Sequence, residues 1–435
     1  ISLRFMHPTV RYHIYAMSYP ASMHSWPPHL PRLYPQLSAA QISQFLDYPE
    51  YQRLCNVPLI TILPFASQNS QPHDLHLGVG LSKLMIRDLM LVRNLSTRGP
   101  EDSPEALLES VPLLREEKDR TVFVSGETYA ANGTYRVELQ FYSPARKDPF
   151  AAVVHESDFA TFLLRLAETI ARTCLGEVTD ATRQMWRFGR PSSAAALARL
   201  GEICVSQSRQ EDSRGRLAWD LYQREPNLVV ALNELDDGLP NIKPVYLEGL
   251  RRDPYNAQLC FLLFLAYWES RGPQPEAVQF CRRAIELAPG HGKAHMCAPH
   301  AEDKGANMLL HSDLGYRLLP GNTFAINNYI LNLMESNAPP EQIMLLAEEG
   351  IKTDPQDPGN YDRMIEVFID LKDYGRALSI AERLLKLFEP RMSPRTLECL
   401  MQNPKRAEKI RSGLFQPVEE VRGLIEQLRQ KLAWK

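Results

Sequence analysis

Proline recurs at Pro254, Pro289, Pro320, Pro355 and Pro390, at steps of 35, 31, 35 and 35 residues. A proline cannot continue a helix, because it lacks the N–H and its ring clashes with the preceding turn. Beyond Pro191 no strand pattern remains, and helical stretches of about 12 to 15 residues alternate with short Pro, Gly or Asp breaks. A repeated helix pair follows, and since no single pair can bury its apolar stripe, neighbours have to stack. The short step from Pro289 to Pro320 marks the joint where regular stacking is expected to fail.

Composition bounds the rest. The 435 residues exceed one ordinary core and predict two or three domains. Proline outnumbers glycine, 33 to 22, reversing the usual order, and seven prolines fall before residue 55. A formal charge of −3 excludes a polyanion binder acting through net charge, so no direct nucleic-acid binding is expected. The longest apolar run, Leu259 to Trp268, is half of a membrane span and reads as core. Cys55, Cys174, Cys204, Cys260, Cys281, Cys297 and Cys399 are scattered without a Cys-x-x-Cys pair, as expected of reduced thiols. A cytoplasmic location fits. The chain opens on Ile1 rather than Met and reads as a fragment, so a periplasmic location stays open.

Residues 1–55 hold Pro8, Pro20, Pro27, Pro28, Pro31, Pro35 and Pro49 and read as a linker or the remnant of an upstream domain, with one short helical stretch from Ser38 to Leu54. From Val57 the texture is α/β. Val57 to Phe65 is a continuous apolar run, as in a strand buried on both faces. Leu77, Leu81, Leu84, Met85, Leu89 and Val92 recur at helical spacing, followed by a turn over Ser96 to Pro104. Thr121 to Tyr129 and Thr134 to Tyr142 form a hairpin across Asn132-Gly133, and Phe150 to Val154 is a third strand. Asp158 caps a helix carrying Phe162, Leu163, Leu166, Ile170 and Cys174.

Two family resemblances rest on these residues. The repeat ending at Pro289 has Phe261, Phe264 and Trp268 on a first helix, Gly272 at the turn, and Ala277, Ala284 and Ala288-Pro289 on the second. That from Pro358 has Tyr361, Met364 and Phe368, then Asp373-Tyr374, Ala377 and Ala381. Both resemble the tetratricopeptide unit, and Gly249 and Gly350 stand where its small packing residue is expected. Ile62-Leu63-Pro64-Phe65, Gly78-Val79-Gly80-Leu81, Val124-Ser125-Gly126-Glu127, Asn132-Gly133 and Tyr135-Arg136-Val137 resemble the TolB amino-terminal-like domain of bacterial regulators. The loop after Phe65 departs from that family, with Gln71, Pro72 and His73 in place of its acidic and aromatic residues. The implied fold class is an α/β N-terminal domain (56–180) followed by an all-α tetratricopeptide-type solenoid (192–392), with C-terminal capping helices over 393–435. Val418, Val421, Ile425, Leu428 and Leu432 make the last capping helix amphipathic.

The chemistry is sparse. Gly78-Val79-Gly80 has no third glycine and no Gly-Lys-Ser/Thr run, so the close packing of a helix is favoured over a phosphate cradle. No Gly-x-Ser-x-Gly or His-Glu-x-x-His run occurs, and neither catalysis nor a cofactor is expected. His291, His295 and His300 are the weak metal candidates; Pro299 should break the helix that would present them together, and an exposed, irregular helix is the alternative. The early histidines His7, His13, His24 and His29 lack ligand spacing. By register with the two good repeats, Asn328, Asn332, Asp362, Glu366 and Asp370 face the solenoid groove, where they suit a neutral or basic peptide. The expected function is a non-catalytic protein-interaction scaffold, the sensory or effector-binding part of a bacterial signalling or transcription-regulatory protein. The alternatives are an accessory region of a nucleotide cyclase or kinase, or a periplasmic envelope adaptor.

Overall fold

A computed structural model describes residues 51–68, 75–99, 120–131, 133–143, 150–175, 178–205, 211–235, 242–271, 275–301, 306–355, 358–388 and 416–433. The linker prolines, Pro390 and the stretch from Ser38 to Glu50 lie outside them. The first part contains α1 (Tyr51–Cys55), β1 (Leu59–Ile62), β2 (Ala66–Ser67), α2 (Leu77–Met90), β3 (Ser96–Arg98), β4 (Thr121–Ala131), β5 (Thr134–Tyr142), β6 (Phe150–Glu156) and α3 (Phe159–Leu175).

The sheet is mixed, in the order β3-β1-β4-β5-β6, with β2 also on β4. β1 lies between β3 and β4, parallel to both, and is buried along its whole length, as its unbroken apolar run requires. β4 and β5 form an antiparallel hairpin that closes at Ala131 and Thr134, where Gly133 takes a φ of 74°. β6 adds antiparallel to β5. Helices α2 and α3 cover one face, burying Leu81, Leu84, Met85, Leu89, Phe162, Leu163, Leu166 and Ile170 with Val124, Val137, Leu139 and Val154. Asp158 caps α3 as expected, its Oδ2 accepting from the Thr161 N–H at 2.7 Å.

One strand was hidden in the sequence. Ser96–Arg98 is not part of a turn but is the buried edge strand β3. Its polar residues gave no apolar run, and two of them are held from two sides: Ser96 Oγ donates to the Gly290 carbonyl at 2.8 Å, and Arg98 Nε donates to Thr61 Oγ1 at 3.1 Å.

The remaining described elements are helical: α4 (Asp180–Met185), α5 (Ala194–Val205), α6 (Glu211–Arg224), a 3₁₀ turn (Val229–Glu234), α7 (Ile242–Arg252), α8 (Ala257–Arg271), α9 (Pro275–Leu287), α10 (Gly292–Ala301), α11 (Ala306–Leu318), α12 (Thr323–Glu335), α13 (Pro340–Thr353), α14 (Pro358–Asp370), α15 (Tyr374–Phe388) and α16 (Gln416–Ala433). The proline ladder locates them. Helices α7, α9, α11 and α13 end at Arg252, Leu287, Leu318 and Thr353, each two residues before Pro254, Pro289, Pro320 and Pro355. The next helices, α8, α10, α12 and α14, start at Ala257, Gly292, Thr323 and Pro358, three residues after those prolines. The short step coincides with the 10-residue α10, against 15 residues in α8 and 13 in α12 and α14.

Each helix from α7 to α15 packs on the next, and α10, α12 and α14 also touch in series. Ala277, Ala284, Ala377 and Ala381 are fully buried at the crossings. Side chains at Gly249 and Gly350 would run into Leu232, Leu259 and Asn360, so both positions need glycine for close approach. The last helix, α16, buries Val421, Ile425 and Leu428 against the end of the stack, where it packs on α15.

The boundary near residue 180 does not divide the core, because one apolar cluster runs from Ile60 to Ala298. The crossing of α2 with α5 shows why. A methyl on Gly80 would land on the Leu197 carbonyl, and one on Gly201 would land on that of His76. Both obstacles are backbone atoms that cannot swing aside. Gly201→Ala is therefore expected to lower stability by about 1–3 kcal/mol, despite the roughly 1 kcal/mol of helix propensity that alanine brings. The urea midpoint checks this, and an unchanged midpoint would mean that the crossing has slack.

Residues 51–55 also depart from a linker. Tyr51 and Leu54 are fully buried, and Tyr51 Oη donates to Asp313 Oδ2 on α11 at 2.6 Å. Asp313 also accepts from Arg317 Nε at 2.8 Å and Tyr329 Oη at 3.2 Å, so α1 is locked into the helical stack.

Candidate functional site

Helix α14 carries the most coherent exposed chemistry. Tyr361, Met364, Ile365, Val367 and Phe368 are buried, which turns Asp362, Glu366 and Asp370, spaced four apart, to the exposed face. Arg363 Nη1 donates to Glu366 Oε2 at 2.6 Å, an exposed intrahelical pair that holds Glu366 only weakly.

The two asparagines do not join this row as expected. Asn332 is 2% exposed, and its Nδ2 donates to Ser312 Oγ on α11 at 2.7 Å. A buried amide needs a partner, and α11 supplies it, so Asn332 is a packing residue rather than a groove residue. Asn328 is half-buried and donates to the carbonyl of Phe324 in its own helix at 2.9 Å.

The histidines differ from both expectations. Helix α10 runs through Pro299 rather than breaking there. It is not an exposed helix: His291 is 3% exposed and His295 is fully buried. The hydrogen bonds fix the tautomers. His295 Nε2 donates to the Pro289 carbonyl at 2.9 Å, so its Nδ1 accepts from His311 Nδ1, also at 2.9 Å. His291 Nδ1 accepts from the Ala294 N–H at 3.3 Å, and its Nε2 donates to Gln258 Oε1 at 3.1 Å. Burial pushes the pKa of each ring down to about 3, and both are neutral at physiological pH. Every ring nitrogen of His291 and His295 is thus committed within the fold, and the His300 side chain lies outside the described residues. Among the described residues no three His, Cys, Asp or Glu side chains gather as a metal site.

The Gly78-Val79-Gly80 start of α2 is likewise occupied. Gly78 N–H donates to Ser67 Oγ at 2.8 Å and Gly80 N–H to the His76 carbonyl at 3.2 Å. A methyl on Gly78 would strike the Phe65 carbonyl, so the glycines serve close packing. The chain matches no family model and no curated protein. No described helix is long and apolar enough to cross a membrane.

Two buried polar clusters escaped the sequence reading. In the first, Arg87 Nε donates to Asp253 Oδ2 at 2.9 Å, Nη2 contacts Asp253 Oδ1, and Nη1 donates to Asp88 Oδ1 at 2.8 Å. Arg190 Nη2 lies 2.8 Å from Asp88 Oδ2, and Trp186 Nε1 donates to the Asp88 carbonyl at 2.7 Å. Burial opposes the Arg87 charge, but Asp253 and Asp88 more than offset it and raise its pKa. The signal was present: Asp88 falls four residues after Leu84, on the apolar stripe of α2, where a lone charge has to find a partner.

In the second, Glu349 on α13 is 2% exposed, and its carboxylate accepts from Tyr316 Oη at 2.8 and 3.0 Å. Burial raises its pKa to about 7; the Tyr316 hydrogen bond and Lys352 only partly oppose this.

Proposed function

We propose that the chain is a non-catalytic protein-interaction scaffold. In this reading the helical part is a tetratricopeptide-type solenoid, and α14 presents Asp362, Glu366 and Asp370 to a basic peptide segment. The observation that carries the proposal is that acidic row, exposed on a helix of the layer formed by α10, α12 and α14. Helices that touch their own kind in series form the inner layer of a curved stack, which is the face on which such arrays hold extended ligands. The constant two- and three-residue offsets around the prolines support the repeat. A sheet fused to the array through β3, α1 and the Arg87 cluster suits a sensory or effector-binding part of a bacterial regulator, the role implied by resemblance to the TolB amino-terminal-like domain.

A fluorescein-labelled peptide of alternating Lys and Leu tests the acidic row. Asp362→Ala with Glu366→Ala is expected to weaken its binding about tenfold, as for the loss of hydrogen bonds to charged groups, while leaving the melting temperature in place because both residues are exposed. Unchanged affinity would sink the proposal.

A further inference from the structure

The outer layer of the same repeats carries a different chemistry. Helices α11, α13 and α15 approach one another less closely than α10, α12 and α14 do. Between α13 and α15 this leaves an open cavity of about 340 Å³, floored by Met364 and Phe368 of α14. Its rim holds Lys352, Arg376 and Arg383 against a single carboxylate, Glu348. Asp373 already engages Arg376: Arg376 Nε donates to Asp373 Oδ2 at 2.5 Å, and the Arg376 guanidinium lies over the Phe368 ring, 4.7 Å from its centre. Lys352 and Arg383 make no ion pair among the described residues; Arg383 lies 5.4 Å from the centre of the Tyr361 ring. The charge left for a ligand is two cations against one carboxylate, above an apolar floor.

We infer that this outer cavity is a second binding site, for a peptide segment that sets one carboxylate beside one bulky apolar side chain. The size argues for this: the cavity is at the low end of ligand pockets, room for one large side chain rather than a cofactor. The charge argues for a single carboxylate, since one net positive charge remains. The apolar side chain rests on Met364 and Phe368, and the carboxylate lies between Lys352 and Arg383, which approach from opposite walls on α13 and α15. The acidic row on the inner face of α14 would repel the same peptide, so one repeat sorts ligands of opposite charge to opposite faces.

The probe is a fluorescein-labelled acetyl-Gly-Asp-Phe-Gly-amide peptide, titrated by anisotropy into the full chain. Saturable binding is expected, weakened at least tenfold by Lys352→Glu with Arg383→Glu, and weakened also when Phe in the peptide is replaced by Gly. Asp362→Ala with Glu366→Ala should leave it unchanged, which separates this site from the inner face whether or not the inner face binds. Both rim residues are exposed, so circular dichroism should show the charge-reversed chain folded. Absence of binding at millimolar protein overturns the inference, as does equal affinity for the charge-reversed chain. Loss of binding in the Asp362 and Glu366 variant alone would place the peptide on the inner face and also overturn it.

Discussion

Asp253→Ala is expected to lower stability by about 3–5 kcal/mol, a large share of what holds a chain of this kind together. The reason lies in what remains after the substitution. Arg87 and Asp253 are 2% and 1% exposed, and Arg87 gives Asp253 two of its guanidinium nitrogens. Removing the carboxylate leaves a buried guanidinium with Asp88 alone, and Asp88 is already shared with Arg190. Burial lowers the Arg190 pKa despite Asp88, so little compensation is in reserve there. The cost should appear as a lower urea midpoint, with sheet and helices affected together, because Arg87 belongs to α2 and Asp253 follows α7. A double variant, Arg87→Met with Asp253→Leu, should recover part of the loss by removing both charges. A midpoint unchanged by Asp253→Ala would show that water reaches the cluster.

Glu349→Gln should act in the opposite direction, and only above acidic pH. The folded chain holds the Glu349 proton up to about pH 7, and the unfolded chain releases it near the ordinary value of 4.5. Below 4.5 both states are protonated and the group contributes nothing. Between 4.5 and 7 the unfolded state gains by ionising while the folded state does not, so stability falls as pH rises. Above 7 the penalty is complete, on the order of 3 kcal/mol at about 1.4 kcal/mol for each tenfold change in proton affinity. Glutamine keeps a partner for Tyr316 and cannot ionise. The variant should therefore match the parent near pH 4 and exceed it by on the order of 3 kcal/mol at pH 8. Chemical denaturation at the two pH values measures the difference directly, and a gap independent of pH would contradict the assignment.

Much of the fold was legible along the chain. The buried run of β1, the hairpin turning at Gly133, the Asp158 cap and the proline register all follow from local rules. Asp362, Glu366 and Asp370 were expected in the groove by register with the two good repeats; the structure leaves them exposed because Tyr361, Met364 and Phe368 take the buried side of α14. Asn332 was misplaced because an amide is compatible with either a groove or a core, and only the position of Ser312 decides between them. β3 was missed for a related reason. Ser96, Thr97 and Arg98 carry no apolar signal, and their burial depends on Thr61, 37 residues before Arg98, and Gly290, 194 residues after Ser96.

The sequence by itself determined the helix boundaries around Pro254, Pro289, Pro320 and Pro355, because a proline's missing N–H and fixed φ act on the turn that contains it; at Pro299, inside α10, packing overrode the same local signal. Only the tertiary structure decided which polar groups are buried and with whom. His295 with His311, Arg87 with Asp253 and Glu349 with Tyr316 are separated by 16, 166 and 33 residues. Whether each is charged or neutral, structural or available to a ligand, follows from the dielectric and the partners that folding brings to it.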